Sequence, residues 1–230
     1  MNNQESNKII KAKRVFSRRD FLTYSGIVVI GVGVRGCVVY DGEIEDSQGY
    51  LIVDTKKCQG CLTCMLACSL VHEGYESLSL ARIQVVQNPF ENFPDDINIA
   101  QCRQCVDPVC IEACPTRALH ADKENGYVRT VDKNKCIGWL GCRACVTACP
   151  YEPGRSIWNF QKGHAQKCDL CANAGFWDEQ GGLEGKQACV ELCPMKAIKF
   201  TTEVPEQLGD EGYNVNLRDE IWEALGYPTD

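Results

Sequence analysis

Histidine and methionine are scarce in this chain, with three of each among 230 residues. His72, His120 and His164 stand by no Ser, Cys or carboxylate at a catalytic spacing, so each reads as a surface or core residue. A G-x-S-x-G elbow, an H-E-x-x-H pair and a P-loop are all missing, which removes the commonest hydrolytic and phosphoryl-transfer sites. Basic charge is also short: 24 Lys and Arg against 31 Asp and Glu give a net charge of -7. Binding to a nucleic-acid backbone needs a basic patch, so nucleic acid is excluded as a partner. At 44 % hydrophobic residues an ordinary core can form, but the chain has one long apolar run, Phe21 to Tyr40. That run is about long enough to span a bilayer, and Arg35 interrupts it.

Cysteine is what the chain has in excess, seventeen in all. Sixteen fall into four groups of four. The first is Cys58-x2-Cys61-x2-Cys64-x3-Cys68. The second is Cys102-x2-Cys105-x4-Cys110-x3-Cys114-Pro115. The third is Cys136-x5-Cys142-x2-Cys145-x3-Cys149-Pro150. The fourth is Cys168-x2-Cys171, then a long gap, then Cys189-x3-Cys193-Pro194. Each is a form of the bacterial iron–sulphur run C-x2-C-x2-C-x3-C-P, in which three thiolates on one tight loop reach three corners of a cubane and the fourth ligates the other cluster of the pair. The fourth Cys is expected to start a helix leading away from the loop, with Pro at its first turn, where a missing N–H costs nothing. A disulfide framework or zinc ribbons would also use C-x2-C pairs. Zinc, however, takes ligands in two pairs and leaves the third and fourth Cys of each group unexplained. The sixteen cysteines are therefore the candidate ligands of four [4Fe–4S] clusters, with no catalytic residue beside them.

The N-terminus is basic, then reads Ser17-Arg18-Arg19-Asp20-Phe21-Leu22 before the apolar run. This is similar to the twin-arginine export signal, which carries proteins already folded and loaded with cofactor; residues 1–40 are read as signal or anchor. Export places the protein in the periplasm or on the outer face of the cytoplasmic membrane. Gly31-Val32-Gly33-Val34-Arg35-Gly36 matches G-x-G-x-x-G, but no amphipathic helix follows, so the dinucleotide reading fails on context. Cys37, the seventeenth cysteine, follows Val34-Arg35-Gly36 in a loose lipoprotein-type box. Lipidation there, an uncleaved anchor and a plain free thiol all stay open.

Residues 41–48 are an acidic linker. Gly49–Val53 reads as a strand, and so does Leu80–Val86 from its alternation; residues 88–98, with Pro89 and Pro94, read as a surface loop. Gly49-Tyr50 leading to Val53-Asp54 and Lys57-Cys58 is matched by Gly126-Tyr127 leading to Val131-Asp132 and Lys135-Cys136. Cys114-Pro115-Thr116-Arg117-Ala118-Leu119 is matched by Cys193-Pro194-Met195-Lys196-Ala197-Ile198. Residues 49–200 thus hold an internal repeat, roughly 49–120 and 126–200. Each copy opens with a strand and one Cys group and closes with a Cys group and a strand. The fold class expected is α+β: two ferredoxin-like [4Fe–4S] modules formed by the repeat, with long loops and a C-terminal tail, 201–230, holding a helix near 217–225. The Gly-rich stretch 172–188 is an insertion in a cluster loop. Trp139, in the three-residue insertion of the third group, is read either as a lid over its cluster or as ordinary core.

From Cys58 to Ile198 the chain resembles the four-cluster ferredoxin-like subunits of molybdenum and tungsten oxidoreductases, of the dimethyl-sulphoxide-reductase and aldehyde-oxidoreductase types. The resemblance rests on the Cys groups, Cys-Arg-Gln-Cys at 102–105, Cys-Pro-Thr-Arg-Ala-Leu at 114–119, Lys-Cys-Asp-Leu-Cys at 167–171 and Cys-Ser-Leu-Val-His-Glu-Gly at 68–74. It implies that the first group pairs with the fourth and the second with the third. One cluster then takes Cys58, Cys61, Cys64 and Cys193, and its neighbour Cys168, Cys171, Cys189 and Cys68. The inner pair takes Cys102, Cys105, Cys110 and Cys149, and Cys136, Cys142, Cys145 and Cys114. It implies as partners a molybdenum- or tungsten-pterin catalytic subunit and a membrane quinone-linked subunit, cytochrome or soluble carrier. The expected function is electron transfer, with no substrate chemistry in this chain. The tail or the 172–188 insertion is expected to grip the catalytic subunit. Rival readings are a cluster carrier of another respiratory complex, a cluster-bearing enzyme, and a zinc-stabilised interaction module.

Overall fold

A computed structural model describes residues 44–226 except 94. The twin-arginine motif, the apolar run, the G-x-G-x-x-G stretch and Cys37 lie outside the described residues.

Strands and helices are both short, in keeping with an α+β class. The strands are β1 (Tyr50–Val53), β2 (Gln84–Gln87), β3 (Ile97–Ala100), β4 (Leu119–Asp122), β5 (Val128–Val131), β6 (Ser156–Asn159), β7 (His164–Lys167) and β8 (Ile198–Thr201). The helices are α1 (Thr63–Glu73), α2 (Val109–Glu112), α3 (Ala144–Thr147), α4 (Ala188–Glu191) and α5 (Glu220–Ala224). The strands form antiparallel two-stranded ribbons, β1 with β8, β2 with β3, β4 with β5 and β6 with β7. A lone two-stranded ribbon is marginal in water, so these depend on what lies between them. The main core packs Leu51, Val53, Met65, Ile83, Ile97, Ile99, Leu170 and Ile198 around five of the cysteines, Cys58, Cys64, Cys68, Cys189 and Cys193.

The pairing crosses the sequence repeat. β1 opens the first copy and pairs with β8, which closes the second; β4 closes the first and pairs with β5, which opens the second. Thus the outer ribbon carries the first and fourth Cys groups, and the inner ribbon the second and third. The repeat also reaches the backbone: Arg117 and Lys196, each three residues after the Cys of a Cys-Pro pair, adopt left-handed φ of 54° and 50°.

The helices correct one expectation. No fourth Cys starts a helix. Instead Cys110, Cys145 and Cys189 lie inside α2, α3 and α4, and Cys114, Cys149 and Cys193 come just after those helices end. Proline disfavours helix at the residue before it, so Pro115, Pro150 and Pro194 stop these helices at four residues, acting as terminators rather than first-turn residues. The first group has Ser69 in place of proline, and α1 runs on through Cys68 for eleven residues. It ends at Gly74, φ 81°, which donates its N–H to Leu70 O at 2.9 Å. A side chain there would collide with the Phe176 ring, 2.7 Å from where its Cβ would stand.

Three further expectations are adjusted. Of the strand expected over 80–86, β2 covers 84–87; Leu80 ends a 3₁₀ turn, and Arg82 turns its backbone N–H to Cys68. The insertion 172–188 folds back on α1: Phe176 N donates to Val71 O at 2.9 Å, and Trp177 packs with Ala67, Val71 and Ala188. The tail is also anchored. Asn214 bridges to Val53 beside β1, Tyr213 is buried and donates its hydroxyl to Arg103 O at 2.6 Å, and Leu217 N donates to Asp54 Oδ2 at 2.8 Å.

Candidate metal centre

Thiols converge in the structure across the sequence groups. The thiols of Cys58 and Cys64 feel the charges of Cys61 and Cys193. Cys189 feels Cys171, Cys168 and Cys68, and one cavity is lined by Cys68, Cys168, Cys171 and Cys189. A second cavity, of about 330 Å³, is lined by Cys102, Cys105, Cys110 and Cys149. Cys145 stands near Cys114, Cys110 and Cys136, while Cys142 is half-buried on the loop before α3. Cys61 is exposed at the other end.

Geometry at the last Cys of each group is shared. Each accepts a backbone N–H: Cys68 Sγ from Arg82 at 3.3 Å, Cys114 from Leu119 at 3.3 Å, Cys149 from Arg155 at 3.2 Å and Cys193 from Ala197 at 3.3 Å. Gly60 N donates to Cys58 Sγ at 3.4 Å and Gln104 N to Cys102 Sγ at 3.5 Å. Gly60 and Gln104 are both left-handed, with φ of 67° and 47°. These turns aim N–H groups at sulphur, where they favour a charged thiolate.

Burial opposes charge on other thiols. It pushes Cys64, Cys145 and Cys171 up to about 12 and Cys105 to about 11, with neighbouring thiols adding to the effect. Cys168 and Cys189 are pushed well above the usual thiol value for the same reason. A group of such thiolates can form together only around a centre that supplies compensating positive charge, so binding must release protons. At Cys102, Cys105, Cys110 and Cys149 the thiols stand around a volume rather than a point. This donor chemistry fits [4Fe–4S] clusters, which Cys thiolates hold four at a time.

Two regions match a family described as the 4Fe-4S dicluster domain, residues 50–115 and residues 96–203. YnfG of Escherichia coli (strain K12), named as part of a probable anaerobic dimethyl sulfoxide reductase, is 37 % identical over 162 residues, covering 64 % of this chain and 70 % of that one. The thiosulfate reductase electron transfer subunit PhsB of Salmonella typhi is 35 % identical over 159 residues, covering 67 % and 76 %. The chain belongs to the iron–sulphur electron-transfer subunits built from 4Fe-4S dicluster domains. A protein NrfC homolog of Haemophilus influenzae is 33 % identical over 193 residues, covering 81 % of this chain and 80 % of its own. As a member of this family the chain is an electron-transfer subunit, and its two dicluster domains with sixteen cysteines carry four [4Fe–4S] clusters.

The four thiol sets stand in order. Cys64 is close enough to Cys189 for their charges to interact, Cys168 to Cys102, and Cys110 to Cys145. The sets therefore adjoin one another in turn, first with fourth, fourth with second and second with third. Gln104, fully buried, ties the middle of that series: its N–H points at Cys102 Sγ, its Nε2 donates to Cys168 O at 2.8 Å, and its Oε1 accepts from Arg129 N at 2.7 Å.

A buried polar network beside the fourth group was not foreseen. His72 Nε2 lies 2.9 Å from Asp169 Oδ1, and its Nδ1 lies 2.7 Å from Cys68 O and 3.8 Å from Cys68 Sγ. Arg82 Nη1 is 2.8 Å from Asp169 Oδ2, and Glu73 meets both Arg82 and Lys162. Burial works to raise the Cys68 thiol, but His72 and Arg82 outweigh it and leave its pKa below the ordinary value. His72 is held up at about 9: burial opposes its charge, and Asp169 and Cys68 favour it more. Asp169 lies far below the usual carboxylate range, burial notwithstanding, because Arg82 and His72 face it. The i, i+4 spacing of Cys68 and His72 on a helix was the available signal; the proximity of Asp169, 97 residues on, had none.

Trp139 is not ordinary core: it is 73 % exposed, the neighbouring Leu140 is exposed too, and the Trp139 backbone lies beside Gly163.

Proposed function

We propose that this subunit relays electrons between a molybdenum- or tungsten-pterin catalytic subunit and a membrane-bound or soluble carrier, along one file of clusters. The observation that supports this reading is the nearness of Cys64 to Cys189, of Cys168 to Cys102 and of Cys110 to Cys145, which orders the expected sets as Cys58–Cys61–Cys64–Cys193, then Cys168–Cys171–Cys189–Cys68, then Cys102–Cys105–Cys110–Cys149, then Cys136–Cys142–Cys145–Cys114. Each set would hold one [4Fe–4S] cluster, which supplies one reversible electron. The chain's own part is to space the sets, to exclude water from the inner thiols, and to aim backbone N–H groups at sulphur. Cys61 at one end and the half-buried Cys136 and Cys142 at the other leave both ends of the file open to partners. The names of the dimethyl sulfoxide and thiosulfate reductase relatives support a large reductase as one partner.

The fine domain plan belongs to the same proposal: signal or anchor 1–40, linker 41–48, cluster domain 49–200 formed by a duplication, and tail 201–230. Arg18-Arg19 and the apolar run support export to the periplasmic side of the membrane; no helix among the described residues is long and apolar enough to cross one. The tail and the 172–188 insertion present Leu208, Ile221, Leu225 and Phe176 outward, which supports a role in gripping the catalytic subunit. Fractionation followed by anaerobic pull-down tests the whole reading. The chain is expected outside the cytoplasm together with a large pterin-containing subunit, and changing Arg18 and Arg19 to Lys is expected to strand it inside. A protein that always purifies alone, from an oxidoreductase that reaches its acceptor equally well without it, contradicts the relay.

A further inference from the structure

Lys167 is an unusual residue to find in the middle of such a file. It closes β7, is 5 % exposed, and lines the cavity of Cys102, Cys105, Cys110 and Cys149. Its Nζ reaches Ser156 Oγ at 3.5 Å. Of the neighbouring buried cations, Arg82 has Asp169 and Arg103 has Asp210, while Arg155, on the same cavity, turns its guanidinium to Pro153 O and the Tyr151 ring. Among the described residues no carboxylate pairs with Lys167. A buried ammonium without an anion is strongly disfavoured, so an anion must face it. The anionic candidates on the same cavity are the thiolates of Cys102, Cys105, Cys110 and Cys149.

We propose that Lys167 is a positioning residue for electrons: its fixed positive charge against the Cys102–Cys105–Cys110–Cys149 site raises the reduction potential of that site above what its burial alone would give. Adding an electron makes a four-thiolate cluster more negative, so a cation facing it favours the reduced form; net charge is one of the determinants of cluster potential. The other sites lack this arrangement. At Cys58 and Cys64 the charges felt are those of other thiols. At Cys171, Asp169 opposes Arg82, and the cations beside Cys68, His72 and Arg82, both share their charge with Asp169. Lys167 also reaches Cys145 of the next set, though there its effect comes last, after burial and three thiols. The charge therefore marks one inner site, second from the end of the file.

This inference rests on the four-cluster reading, and its test separates the two. Iron and sulphide are assayed first on the full chain and on Lys167→Gln and Lys167→Arg; a parent without clusters sinks the cofactor reading itself. Potentiometric titration followed by electron paramagnetic resonance then resolves the centres, with Cys105→Ser marking the one in question. Lys167→Gln is expected to shift that centre's reduction equilibrium at least tenfold toward the oxidised form, a fall of about 59 mV for one electron, while Lys167→Arg stays near the parent. An unchanged potential in Lys167→Gln overturns the proposal. If Lys167→Gln loses that cluster, retention of all four in Lys167→Arg supports a requirement for the charge. Loss in both variants shows a packing role and overturns it.

Discussion

Replacing Cys68 with Ser is expected to alter or remove the cluster held by Cys168, Cys171 and Cys189, and to leave the one held by Cys58, Cys61 and Cys64 in place. In sequence Cys68 belongs with Cys58, four residues beyond Cys64. In space α1 carries it one turn past Cys64, and it lines a cavity with Cys168, Cys171 and Cys189. The expected reciprocal ligand is Cys193, whose charge is felt at Cys58 and Cys64. Cys193→Ser should therefore affect the first-group cluster. The expected loss is about 4 Fe in each variant if the cluster is shed, at four per cubane. Paramagnetic resonance of Cys68→Ser and Cys168→Ser should show the same centre changed. Two different centres changed in those two variants would refute the crossing.

Replacing Asp169 with Ala is expected to cost more stability than any surface charge change. Asp169 is buried between His72 and Arg82, both buried, and the substitution leaves two cationic groups without their shared anion. Removing one partner of a buried ion pair costs about 3–5 kcal/mol. The exposed pair Lys186–Glu179 sets the contrast, since such pairs contribute about 0–1 kcal/mol. Because His72 and Arg82 both hold Cys68, the loss should also loosen the cluster site. Denaturant midpoints of the loaded protein under anaerobic conditions measure the difference. Equal midpoints for Asp169→Ala and Glu179→Ala would show that the network contributes nothing.

The sequence carried most of what local chemistry can carry. Four Cys groups with fixed spacing announce their ligand chemistry wherever the chain folds, and the Gly-Tyr and Cys-Pro echoes announce a duplication. The first strand was legible because Tyr50, Leu51, Ile52 and Val53 are β-branched or bulky and bounded by Gly49 and Asp54. The place of the short helices was not, because Cys-Pro suits a helix start and a helix stop alike; only the backbone shows that proline ends them. The contrast at Ser69, where proline is missing and the helix continues, was visible as a difference but not as a consequence. Long-range matters were silent. That β1 pairs with β8, that Tyr213 anchors the tail beside β1, and that Asp169 sits under His72 each depend on residues about 100 or more positions apart. Lys167 was in plain sight in Lys-Cys-Asp-Leu-Cys, but a lysine beside a cysteine reads as a surface residue until its burial is known.

Iron, zinc and acid-labile sulphide analysis of the anaerobically purified chain, with its visible spectrum, tests the four-cluster relay most directly. The expected result is about 16 Fe and as much sulphide per chain, four of each per cluster, in a brown protein whose broad absorption is bleached by dithionite. A colourless protein holding stoichiometric zinc and no sulphide would contradict it.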